Sequence, residues 1–145
     1  MNSATQALGT TPATALPAAA PPLSLRVLAT LRGAVQRGHC LSPAAGAVLL
    51  TWLSGTDDDA ARLQIIECLL RDKVDARRAR TLFDAARPLA AGPNPFVSLR
   101  ACRALLAVAR FDLCLDNRAR LHVAAAADNT PVAALRHRLL RLLAG

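Results

Sequence analysis

His39 and Cys40 are the one adjacent pair in this chain that joins a thiol to a general base. Arg37 lies close upstream, and a thiol near positive charge can serve as a nucleophile. A cysteine at a helix end, facing a loop, accounts for the same residues without chemistry, and that reading is preferred. Asp57, Asp58 and Asp59 form a second candidate, for a divalent cation. Successive residues on a first helical turn point apart and seldom converge on one ion. A hydroxyl at Thr56 followed by three carboxylates is a strong helix start, since the carboxylates complement the helix dipole. The four cysteines, at 40, 68, 102 and 114, contain no CxxC pair, and His122 and His137 lie far from His39. Neither a zinc cluster nor a disulfide is expected. The thiols are read as free, small core residues of a protein in a reducing, cytoplasmic compartment.

No glycine-rich phosphate loop, HExxH, GxSxG or paired Asp/Glu motif occurs, and the seven glycines are scattered. No catalytic residue, cofactor or metal ligand is assigned. The chain is read as a non-enzyme, with a thiol enzyme built on His39 and Cys40 as a remote alternative.

Arginine is the remaining chemistry. The net charge is +8, from 18 Lys+Arg against 10 Asp+Glu, and Lys73 is the single lysine. Three helical segments carry arginines on one side: Arg77, Arg80 and Arg87; Arg100, Arg103 and Arg110; Arg138 and Arg141. Guanidinium groups suit carboxylates and phosphates alike, so these eight residues are the candidate partner-binding set. A heavy use of Arg, Ala and Leu also follows from GC-rich coding, and solvated helix faces explain the pattern without a partner. An acidic protein surface is favoured over nucleic acid, because aromatic residues make up 3% of the chain and base-stacking recognition needs them.

The elements that must carry these residues are helical. Hydrophobic residues make up 53% of the chain, mostly Ala and Leu, both strong helix formers, while sheet-forming residues are scarce. Residues 1–22 hold no charge and four prolines, at 12, 17, 21 and 22, and are predicted to be a disordered tail. The tail lacks the basic start and solid apolar stretch of a cleaved signal peptide. Its Ser/Thr/Ala-rich composition resembles the uncleaved export signals of type III secretion substrates, which implies export, or a role in a bacterial secretion system, as an alternative to a cytoplasmic location. No apolar run of about 18 residues occurs, so no membrane insertion is expected.

Residues 23–145 are read as one helical domain. Ser24 caps the first helix and Gly38 ends it; Ser42–Pro43 opens the second, which has no charge and is expected to be central. Thr56 and Asp75 open the third and fourth, and Pro88 is expected to end the fourth. Asn94–Pro95 starts the longest uninterrupted pattern, through Phe111, in which Val97, Ala101, Cys102, Leu105, Val108 and Ala109 face the core. Arg100, Arg103 and Arg110 lie opposite, so their loss is expected to spare the fold. Asp116 or Asn117 caps the sixth helix, Thr130–Pro131 starts the seventh, and Arg136 is expected to snorkel outward or find a carboxylate. Alternate helix starts recur at roughly 33–41 residues, the spacing of two-helix repeats such as HEAT or armadillo units. The expected fold is therefore all-α: a compact bundle or a short HEAT-like solenoid of six to seven short helices. The expected function is non-enzymatic protein–protein interaction, as an adaptor, regulator or assembly component, with a basic helical nucleic-acid binder as the alternative.

Overall fold

The computed structural model describes residues 21–145, and every regular element among them is helical. The order is α1 (Leu25–Gln36), α2 (Pro43–Gly55), α3 (Asp59–Leu70), α4 (Ala76–Ala90), α5 (Pro95–Ala109), a 3₁₀ turn (Leu113–Leu115), α6 (Asp116–Asn129) and α7 (Ala133–Ala144). Residues 1–20 of the predicted tail lie outside the described residues. Pro21, assigned to that tail from its composition, belongs to the domain. Its carbonyl accepts a 2.8 Å hydrogen bond from Nε1 of the buried Trp52, whose indole N–H needs a partner once desolvated.

Four helix starts follow the expected capping chemistry. Ser24 accepts from the Val27 amide, Ser42 from Ala45, Asp75 from Arg78, and Asn94 from both Phe96 and Val97. Gly38 closes α1 with φ +89°, a conformation open to glycine at little cost.

The other boundaries depart from expectation for local reasons. Asp58, not Thr56, caps α3 by accepting from the Ala60 amide, while the Thr56 hydroxyl accepts from Asp58 N–H two residues earlier. Asp112 caps the 3₁₀ turn through the Cys114 amide, and that turn runs straight into α6, so Asp116 is already helical and α6 has no side-chain cap. The start of α7 slips to Ala133, with Thr130 accepting a long 3.4 Å bond from Val132. Pro88 does not end α4. The hydrogen bond it cannot make would fall on the carbonyl of Asp84, an exposed residue, so the missing bond does not strand a buried side of the helix. Beyond it, Leu89 and Ala90 are buried, and Ser98 Oγ donates 2.6 Å to the Ala90 carbonyl, which holds the last turn.

Every substantial helix–helix contact joins elements one or two places apart in the chain. α1, α3, α5 and α7 touch in succession, and α4 touches α6; α5 meets α3, α4, α6 and α7. α1, α3, α5 and α7 thus form one row and α4 and α6 a second beside it, packed compactly around α5, while α2 lies against α3 alone among the substantial contacts. Ala101, Cys102, Leu105, Val108 and Ala109 of α5 are buried, as its periodicity predicts, and Val97 is half-buried. Phe83 of α4 and Leu63, Ile65, Ile66 and Leu69 of α3 are among the other large fully buried groups. Each contributes about 1.5–3 kcal/mol by leaving water.

The expectation that uncharged α2 is central is corrected. Its one substantial helix contact is with α3, and Ala44 and Ser54 are exposed. Absence of charge there reflects small residues, not burial on all sides. The buried Gly46 of α2 has a specific reason: an added Cβ would lie 3.3 Å from Nη2 of Arg78.

Candidate interaction surface

α1, α3, α5 and α7 together present a basic strip. Where α1, α3 and α5 meet, Arg32, Gln36, Arg71, Arg100 and Arg103 rim a depression of about 390 Å³ floored by Leu70, Ala104 and Ala107. A second depression, of about 520 Å³, continues from α5 past α6 to α7, rimmed by Arg103, Arg110, Arg120, Arg141 and the exposed Leu113 and floored by Leu106, Ala109 and Leu142. The two share Arg103 and Ala107.

Seven arginines and two acidic side chains, Glu67 and Asp116, line this strip. Both carboxylates are already engaged. Glu67 holds Arg100 through a forked pair that includes Nε to Oε2 at 3.2 Å and ties α3 to α5. Asp116 accepts from Arg120 Nε at 3.2 Å, and Arg120 Nη1 also donates 2.9 Å to the Leu143 carbonyl at the end of α7. Arg32, Arg71, Arg103, Arg110 and Arg141 make no ion pair among the described residues. Five guanidinium groups are thus left to act outward. The tie to Glu67 sets Arg100 apart from Arg103 and Arg110: it is half-buried, and its loss removes one link between α3 and α5.

The eight sequence-derived arginines therefore separate. Arg100, Arg103, Arg110 and Arg141 fall on the strip. Arg77, Arg80 and Arg87 lie exposed on α4, in the other row of helices. Arg80 pairs with Asp112 at 3.2 Å, near a small cleft shared with Asp84, Cys114 and Arg118. Arg138 is exposed on α7 but lines neither depression. Sequence reasoning did not assign Arg32 and Arg71 to a site. They stand on different helices, and helical periodicity gives no sign that two helices will bring their charges together.

Other charged groups are absorbed by the fold. Arg136 is exposed, as expected, and finds carbonyls in place of a carboxylate: Nη2 donates 2.8 Å to the Thr130 carbonyl and Nε 3.3 Å to that of Ala127, at the negative end of the α6 dipole. Arg118 lies over the Phe83 ring at 5.1 Å, and the same ring meets His122 edge-on at 6.0 Å. Burial, with the Arg87 and Arg118 charges beside it, holds the His122 pKa below the usual histidine value. Its neutral form is favoured in the fold, so this contribution to stability is present above the ordinary histidine pKa and fades as pH falls below it.

The thiols also divide. Cys68 and Cys102 are buried core residues; Cys114 is exposed, which corrects its core reading, and Cys40 is exposed in the loop after α1, as its helix-end reading expects. His39 and Cys40 both sit exposed in the α1–α2 loop and line none of the depressions described here. Among the described residues no cluster of three or more His, Cys, Asp or Glu could hold a metal ion, and the aspartates at 57–59 serve the α3 start. No helix there is long and apolar enough to cross a membrane. No known family model matches the chain, and no curated protein or solved structure is significantly similar to it.

Proposed function

We propose that the chain is a non-enzymatic helical interaction domain, an adaptor, regulator or assembly component, whose basic strip takes an acidic surface of another protein. The observation that carries this reading is the excess of five unpaired arginines over a partly apolar floor spanning four helices. Charge of one sign over apolar depressions suits a protein surface better than a duplex backbone, which offers phosphates but little apolar matter. The strip holds no aromatic residue on which a base could stack. Four free thiols support a cytoplasmic location. The uncharged composition of residues 1–22 supports the alternative of signal-independent export and a place in a bacterial secretion system.

The discriminating experiment uses Arg103→Gln, Arg110→Gln and Arg141→Gln together, since these exposed side chains make no ion pair among the described residues and their loss leaves the fold intact. Duplex DNA is expected to bind weakly, at roughly 10⁻⁴ to 10⁻⁶ M at physiological salt, and without sequence preference. An acidic partner recovered from the native source is expected to associate more slowly with the variant, because rim charges act mainly on the rate of encounter. A sequence-specific duplex footprint that persists at about 200 mM salt, with a salt slope reduced by about 0.9 for each replaced phosphate contact, would instead establish the nucleic-acid alternative.

A further inference from the structure

We infer that the strip receives its partner as one acidic, amphipathic α-helix laid across α1, α3, α5 and α7; this rests on the proposed function above. Three features lead there. The first is donor chemistry. Arginine carries N–H donors and no acceptor, and the strip's two carboxylates are taken by Arg100 and Arg120. Beyond the Gln36 amide oxygen and the spare lone pairs of Glu67 and Asp116, the rim side chains are donors, which serve carboxylates and carbonyls far better than amide N–H groups. An extended segment would set its backbone N–H donors against guanidinium donors, and no strand edge exists among the described residues to pair with it. A helix satisfies its backbone internally and presents side chains alone.

The second feature is reach. Packed helices lie about 8–10 Å apart, so three steps from α1 to α7 cover about 24–30 Å. At about 1.5 Å per residue, a helix of roughly 16–20 residues spans that distance. The third is the floor. Two apolar depressions meet at Arg103, one based on Leu70 and the other on Leu106 and Leu142. A helix with apolar side chains at i, i+3, i+4 and i+7 seats one cluster in each, and carboxylates on its flanks meet Arg32 and Arg71 at one end and Arg110 and Arg141 at the other. Five unpaired positive charges match an occupant bearing several glutamates or aspartates.

The test uses the full chain and three synthetic peptides of about 20 residues, the length set by the span. One carries leucine at helical spacing with glutamate between. The second has the same composition with leucine at every second position. The third replaces the glutamates of the first with lysine. Fluorescence anisotropy reads affinity, and circular dichroism reads helix gained on binding. The helical acidic peptide is expected to bind about tenfold or more tighter than the alternating one and to gain helix. Arg103→Glu is expected to weaken it by at least about tenfold, and Arg77→Glu, on α4, by less than about twofold. Equal binding of the two acidic peptides would overturn the helical mode and leave an acidic partner standing. Equal binding of all three would overturn both readings. Tight helical binding that ignores Arg103→Glu but falls with Arg77→Glu would overturn the location.

Discussion

Replacing Asp72 with alanine is expected to cost about 3 kcal/mol and, for a domain of this size, to lower Tm by roughly 10 °C. Asp72 follows α3, and its carboxylate is nearly buried, with 8% of the side chain accessible. Oδ1 accepts 3.1 Å from the Leu41 amide in the α1–α2 loop. Oδ2 accepts 3.2 Å from Arg78 Nη1, which also donates 3.1 Å to the Lys73 carbonyl. One carboxylate thus fastens a loop, a turn and α4 together. Its removal orphans the Leu41 N–H and leaves the Arg78 guanidinium, itself 23% accessible, without its anion. Asp72→Asn keeps an oxygen for Leu41 and is expected to cost about half as much. Gly46→Ala, which crowds the same guanidinium, is expected to be destabilising although alanine is the better helix former. Urea midpoints of the three variants check this, and a loss below about 1 kcal/mol in Asp72→Ala would show that the network is replaceable by water.

That network marks where sequence reasoning runs out. The helices themselves were legible, because Ser24, Ser42, Asp75 and Asn94 cap them by chemistry confined to a few neighbouring residues. The face of α5 was legible for the same reason. Arg78, however, reads in sequence as one more cation in the run Arg77–Arg78, and nothing local tells it from Arg77. In the fold one is exposed and the other clamps Asp72 under Gly46. The strip is half-legible likewise: Arg103 and Arg110 share a helix, but their meeting with Arg32 and Arg141 depends on which helices become neighbours. Absence of charge misled at α2, where a stretch carrying Val48, Leu49, Trp52 and Leu53 looked interior and is an edge.

Raising the pH from about 9 to 11 is expected to remove on the order of 2–3 kcal/mol of stability through Cys102. The thiol lies fully buried on α5, and burial pushes its pKa up from 9.0 to about 11, with the Ser98 hydroxyl acting more weakly in the other direction. In the unfolded chain the thiol loses its proton near pH 9; in the native protein it keeps that proton until about pH 11. The folded-state pKa is raised, so the full stability holds below about pH 9 and drains away as pH climbs toward 11. Burial raises the Cys68 pKa as well and adds to the same trend. The window is unusually clean because the chain has no tyrosine and Lys73 is its single lysine. Denaturant midpoints recorded across that range should fall steeply for the native sequence and less for Cys102→Ala. A thiol reagent at neutral pH should label Cys40 and Cys114 at once and the other two after unfolding. A midpoint flat to pH 11 would contradict this account.

The ladder of neighbour-only contacts has a consequence for how the molecule breathes. A helix embraced by four others opens only when they do, whereas a terminal helix can leave by itself. Amide hydrogens should therefore exchange in a gradient, slowest in α5 and fastest in α1 and α2, each held by α3 alone among the substantial contacts. Substantial helix contacts join only near neighbours in the chain, so folding should nucleate near α5 and spread outward within milliseconds, without a slow search for distant pairings. The same gradient bears on the basic strip. Arg32 rides on a helix that frays readily, while Arg103 stands on the most protected one. A bound segment that grips both would slow exchange in α1 far more than in α5, and so would be felt most by the part of the protein least able to hold itself.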